Sequence, residues 1–163
     1  MECYVPLRYK EVKKQGKKRI ATTTLLPSFI FVHATVEQVE TLLHDNKVVA
    51  NESRALLSYY FDHTIQRQDN SNRNPPLTIR DEAMNNFIRL NSIKNPYVIP
   101  VTSNNVQFKL GDNVVVIEGE FKGVHGRVAR IAGQQRVIVE LFDECLVATA
   151  YVPKEAMKHY NEI

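Results

Sequence analysis

Long apolar runs are missing from this 163-residue chain. None approaches the roughly 20 residues that span a bilayer, and Met1-Glu2-Cys3-Tyr4 lacks the pattern of a secretory signal. No membrane association is predicted, and a cytoplasmic protein is the expectation. Cysteine is scarce. Cys3 and Cys145 lie far apart, with no Cys or His near either at a metal-ligand spacing, so both read as unpaired thiols and no metal site is expected. The histidines His33, His44, His63, His125 and His159 form no HxxxH or HExxH pair. No serine sits in a nucleophile elbow, and no glycine-rich loop ends in Lys-Ser or Lys-Thr. Neither catalysis nor a cofactor is expected. A large excess of one charge is also absent: the formal net charge is +3, so any nucleic-acid contact must come from a local cluster of Lys and Arg.

With 44% hydrophobic and 24% charged residues, the composition is that of a folded soluble protein. The basic cluster is near the start: Arg8, Lys10, Lys13, Lys14, Lys17, Lys18 and Arg19 are opposed by Glu11 alone, and Gly16 supplies a turn. This predicts a basic hairpin tip. Leu26-Pro27-Ser28-Phe29-Ile30-Phe31-Val32 reads as a buried strand with Pro27 at its start, Phe29 and Phe31 sharing one face. Thr35 is an N-cap candidate for a helix carrying Val36, Val39, Leu42 and Leu43 and ending near Asp45-Asn46. Val48 to Ala50 and Leu56 to Phe61 are strand candidates, Gln66 to Pro76 a polar loop, and Asp81 to Leu90 a second helix with Met84, Phe87 and Ile88 inward and Leu90 a further candidate.

Between Asn91 and Asn105 no period is sustained, which suggests a domain boundary. Beyond it, runs at Asn113–Ile117, Gly126–Ile131, Arg136–Phe142 and Leu146–Val152 predict a small β-barrel. Pro153 then opens one helical turn over 154–157. The informative stretch is Leu110-Gly-Asp-Asn-Val-Val-Val-Ile-Glu-Gly-Glu-Phe-Lys-Gly-Val-His-Gly-Arg-Val128. Gly111 is read as entering a turn, and Gly119, Gly123 and Gly126 as permitting positive φ in a tight loop with Phe121 at its crown.

This string resembles the KOW motif of NusG-type elongation factors and of some ribosomal proteins, the likeness extending over about 108–153. Upstream, Leu26 to Val32 looks like the aromatic-Pro-Gly-aromatic strand of the NusG N-terminal (NGN) domain. Leu26 stands where that family usually has an aromatic residue, and Ser28 where it has glycine. Around Asp81-Glu-Ala-Met-Asn-Asn-Phe87-Ile88 and Gly119-Glu-Phe-Lys-Gly123 the pattern is similar to the UpxY-type paralogues of capsule-polysaccharide operons.

The resemblance implies an α+β NGN-like domain over 1–92, an antiparallel sheet with flanking helices, then a linker over 93–106 and an all-β SH3-like KOW barrel over 107–163. The family's first strand and helix normally precede Glu2-Cys3-Tyr4-Val5-Pro6, so the first domain is expected to lack them, through truncation, a misassigned start or loss. An exposed sheet edge would then favour self-association, and nucleic-acid contact would be weakened.

The implied function is transcription elongation control or antitermination, in which the NGN domain binds RNA polymerase. Leu26, Pro27, Phe29 and Phe31 would grip the polymerase, although Phe29 and Phe31 are also ordinary core candidates. Lys10, Lys13, Lys14, Lys17, Lys18 and Arg19 would make non-specific DNA or RNA contacts, since phosphate contacts position a protein without reading sequence. Phe121, Lys122, Val124, His125 and Arg127 would expose a docking surface for a ribosomal protein or the Rho factor, with loop packing as the alternative for Phe121. The rival reading is a ribosome- or RNA-associated KOW protein without polymerase contact.

Overall fold

In the computed structural model, residues 1–49, 56–65, 74–102, 104, 106–142 and 145–160 are described. They form two compact units. One comprises Met1–Tyr4 and Ile30–Ile79, the other Val5–Phe29 and Arg80–Ile163. Among the described residues no helix is long and apolar enough to cross a membrane.

The first unit holds strand β1 (Glu2–Tyr4), strand β4 (Phe31–His33) and helix α1 (Val36–Val49). β1 and β4 pair antiparallel, Cys3 opposite Val32. Helix α1 begins with a reciprocal cap: the Gln38 N–H donates to Thr35 Oγ1 at 3.3 Å and the Thr35 N–H to Gln38 Oε1 at 3.1 Å. The helix runs past the expected stop at Asp45-Asn46, so Val48 and Val49 are helical rather than extended, and Ala50 lies outside the described residues. Asn46 is instead a bracket, its Oδ1 accepting the N–H groups of Leu56 and Leu57 at 2.9 and 3.0 Å. Leu56–Phe61 forms no strand; Phe61 makes only an isolated bridge to Pro76. Of the loop expected over 66–76, residues 66–73 lie outside the described set.

In the second unit, strands β2 (Leu7–Lys14) and β3 (Lys17–Thr24) make a two-stranded hairpin with an unbroken register from Leu7 opposite Thr24 to Lys14 opposite Lys17. Its turn, Gln15-Gly16, has φ of 52° and 76°, the pair of positive values that matches strand twist in a two-residue turn. The chain then bends at Leu25 and turns at Pro27-Ser28. The buried strand expected over 26–32 is therefore reduced to Phe31–His33: Pro27 donates no ladder bond, and Ser28 sits at φ 68°, which strand geometry excludes.

Helix α2 (Asp81–Asn91) buries Phe87, Leu90 and Asn91 and packs on the C-terminal sheet. That sheet contains β5 (Ile99–Val101), β6 (Gln107–Val116), β7 (His125–Ile131), β8 (Gln134–Phe142), β9 (Cys145–Ala148) and β10 (Met157–His159). A single 3-10 turn, Lys154–Ala156, precedes β10. The strand order is β10-β6-β7-β8-β9-β5, every pairing antiparallel. Ile99–Val101, in the segment read as a linker, thus supplies an edge strand, paired with Leu146–Ala148 of β9. β2, β3 and α2, read as parts of the first domain, belong to the unit that contains this sheet. In place of one N-terminal sheet with flanking helices, the described residues show two two-stranded sheets.

Both faces of β8 are covered. Arg136, Val137, Ile138 and Val139 are all buried, and Ile138 packs with Ala129, Leu146 and Ala148, against which Ile99, Val101, Val106 and Ile131 lie. Continuous burial of β-branched residues favours a central strand. Thr149, fully buried, closes the next turn: its hydroxyl accepts from the Val137 N–H at 3.0 Å and donates to the Ala150 carbonyl at 2.7 Å.

Candidate functional site

Register sorts the basic residues of the hairpin. In an antiparallel pair, directly opposed residues share a face and successive residues alternate. Lys10, Lys14, Lys17 and Arg19 therefore lie on one face, with Val12 and Ala21 between them and no acidic residue. Lys13 and Lys18 lie on the other face with Glu11, whose carboxylate pairs with Lys18 at 3.3 Å. All of these charged side chains are exposed, so the ion pair contributes little to stability. What it does is neutralise one face. The six residues expected to contact nucleic acid thus divide into four cations without an opposing charge on their face and two beside an acid. Arg8, opposite Thr23, lies on the same face as Lys10 but is half-buried, and its Nε is buried without a hydrogen-bond partner among the described residues.

The residues expected to grip a polymerase are spread over both units. Leu26 is half-buried and Pro27 exposed. Phe29 is half-buried, its ring 5.9 Å from that of Phe142. Phe31 lies in the other unit, where its ring is 6.5 Å from Tyr4. Both phenylalanines spend part of their surface on aromatic packing.

The glycine loop between β6 and β7 is held from inside and outside. Gly119 and Gly123 have φ of 82° and 86°, as the sequence predicts. Gly126 does not: it lies within β7, and a side chain there would collide with β8. Gly111 lies within β6, between the paired residues Phe108 and Asn113 where the register shifts, rather than in a preceding turn. Phe121 and Val124, expected to be exposed, are 5% and 0% exposed. The turn bonds Lys122 N–H to Gly119 carbonyl (3.2 Å) and Val124 N–H to Phe121 carbonyl (3.0 Å) fold the crown back onto the sheet. Buried side chains offer no docking surface, so of the five expected residues only Lys122 and His125 are exposed, and Arg127 is half-buried.

Helix α2 fastens this loop from outside, a role that nothing in the local pattern of Asn86 announced. The Asn86 amide donates to the His125 carbonyl at 2.7 Å while its Oδ1 accepts the His125 N–H at 2.9 Å. The Arg89 guanidinium lies so close over Gly123 that a Cβ there would be 2.9 Å from it. Asn95 donates to Glu120 at 2.8 Å. His125 meets Tyr160 edge to face at 5.4 Å. Among the described residues, no three His, Cys, Asp or Glu converge on a metal position.

An antiparallel sheet whose first hairpin carries a glycine-shaped loop, followed by a 3-10 turn and a short closing strand, is compatible with a KOW-like β unit. Residues 110–159 match the family described as the second KOW domain of transcription elongation factor SPT5. The C-terminal part of the chain therefore carries a KOW element of the NusG/Spt5 type. No curated protein and no solved structure matches the chain.

Proposed function

We propose that this protein is a non-enzymatic transcription elongation regulator, which holds RNA polymerase through an NGN-like region within residues 1–92 and a protein partner through the KOW unit of 107–163. The observation that carries the reading is the SPT5-type match over 110–159, together with the two positive-φ glycines that shape its loop. Two further features agree with it. Ser28 adopts the left-handed backbone that glycine favours, at the place where the NGN pattern has glycine. Four unopposed cations share one face of an exposed hairpin, an arrangement suited to a phosphate backbone. Suppression of pausing or termination at selected operons, in the manner of UpxY-type paralogues, is the specialised form of this proposal. A ribosomal protein or Rho would then dock near Lys122 and His125.

The test is retention on immobilised core RNA polymerase. Wild-type protein should be retained and Phe29→Ala lost, with an unchanged melting temperature. Co-sedimentation with ribosomes without retention on polymerase would overturn the reading in favour of a ribosome-associated KOW protein. Unfolding of Phe29→Ala would return that residue to the core beside Phe142.

A further inference from the structure

The β2–β3 hairpin has two long edges, and the parity of its pairing fixes which backbone groups each edge leaves unmet. Across the two-residue turn, Lys14 and Lys17 exchange both ladder bonds, and bonded positions then alternate with unbonded ones along an antiparallel pair. The β3 residues bonded to β2 are therefore Lys17, Arg19, Ala21 and Thr23. The same count continues to Pro6 and Leu25, where the Leu25 N–H donates to the Pro6 carbonyl at 2.8 Å. Lys18, Ile20, Thr22 and Thr24 consequently turn their N–H and C=O groups away from β2. Among the described residues no strand lies along that side, and no backbone bond from elsewhere reaches it.

The two edges differ in cover. On β2, Arg8 and Tyr9 are half-buried near the base, whereas on β3 every residue but Ala21 is exposed. Proteins blunt exposed edges with proline, bulges or charge. β3 has no proline, its register is unbroken, and from Ile20 to Thr24 it has no charge either. An eight-residue row of this kind is a template for one more strand.

Charge selects the occupant. Lys17 and Arg19 share one face of β3, and Lys18 lies on the other with Ile20, which is 57% exposed. Glu11, the one acid of the hairpin, is on β2 and pairs with Lys18, so Lys17 and Arg19 have no carboxylate on their face. A second copy of the hairpin would bring cation-rich strands together. A strand with carboxylates at alternate positions instead sets them beside Lys17 and Arg19, and its intervening side chains fall against Ile20 and Thr22.

We propose that the β3 edge takes up an extended acidic peptide segment of a partner protein as a third strand. The main chain of Lys18, Ile20 and Thr22 binds it, Lys17 and Arg19 select its carboxylates, and Ile20 packs against an apolar residue between them. The site does not depend on polymerase binding. It shares two cations with the nucleic-acid contact proposed above, but it uses the backbone edge, which a phosphate chain does not need.

The probe is an acetylated, amidated octapeptide of alternating Glu and Val, titrated into the full chain and followed by fluorescence anisotropy and by hydrogen exchange at single amides. Its control carries the same charge with every valine amide N-methylated. On binding, exchange should slow at Lys18, Ile20 and Thr22 and stay unchanged at Arg19 and Ala21, whose N–H groups are already bonded to β2. Thr22→Pro removes an outward N–H and no ladder bond, so it should weaken binding about 10-fold with an unchanged melting temperature. Lys17→Glu/Arg19→Glu should lose the Glu-Val peptide and gain its Lys-Val counterpart. The proposal fails if the N-methylated control binds as well as the probe, if exchange slows evenly along β3, or if the probe does not bind. Protection of the same alternate amides by self-association of the chain, or by a DNA duplex, would assign the edge to another occupant and equally overturn it.

Discussion

Replacing Gly126 with alanine tests how closely the glycine loop's second strand approaches its neighbour. Gly126 has no positive φ, so its backbone accepts any L-residue; what excludes a side chain is β8. An added Cβ would overlap the Ile138 carbonyl and lie 2.7 Å from Val137 Cγ1. The carbonyl belongs to a central strand, and Val137 is fully buried, so neither yields without moving the strand. Parting β7 and β8 weakens one or two ladder bonds, each contributing about 1 kcal/mol, and adds a packing defect of similar size; the loss should be roughly 2–4 kcal/mol. Gly119→Ala is the control. At φ 82° with nothing within 4 Å of the new Cβ, it should cost only left-handed strain, about 1 kcal/mol. Urea denaturation of both variants and the wild type reads the difference as a shift in midpoint at constant slope. Equal losses, or a smaller loss for Gly126→Ala, would refute the close-approach account.

Four other outcomes are expected. Asn86→Ala removes both bonds to the His125 backbone and should cost about 1–2 kcal/mol; hydrogen exchange at the His125 amide should quicken, and unchanged protection would mean that α2 does not hold the loop. Cys145 is buried and its thiol is pushed up to about 12, whereas Cys3 is exposed, so a thiol reagent at pH 8 should label Cys3 alone until the protein is unfolded. The unfolded Cys145 thiol loses its proton near 9.0 while the folded one keeps it to about 12, so stability should fall as pH rises through that window, and Cys145→Ala should flatten the fall. On the hairpin, Lys14→Glu/Lys17→Glu/Arg19→Glu should flatten the salt dependence of DNA binding far more than Lys13→Glu/Lys18→Glu, since only the first set carries an unopposed face; equal effects would show that the faces are not used separately.

What the residues dictate alone is local. The Thr35 cap, the Asp81 helix start, the turn at Gly16, the positive φ of Gly119 and Gly123 and the β-branched strands of the C-terminal half follow from backbone preferences that act within a few residues, and the order of glycines carried the KOW likeness. Partnership was decided by tertiary packing. Whether Phe121 points out or in, whether Gly126 serves a turn or a close strand contact, and whether α2 packs on the C-terminal sheet depend on surfaces distant in sequence, such as Asn86 meeting His125. The division of the hairpin lysines into two faces needed the strand register. Short-range steric preference is written residue by residue, whereas burial belongs to whichever distant surface arrives to cover a side chain.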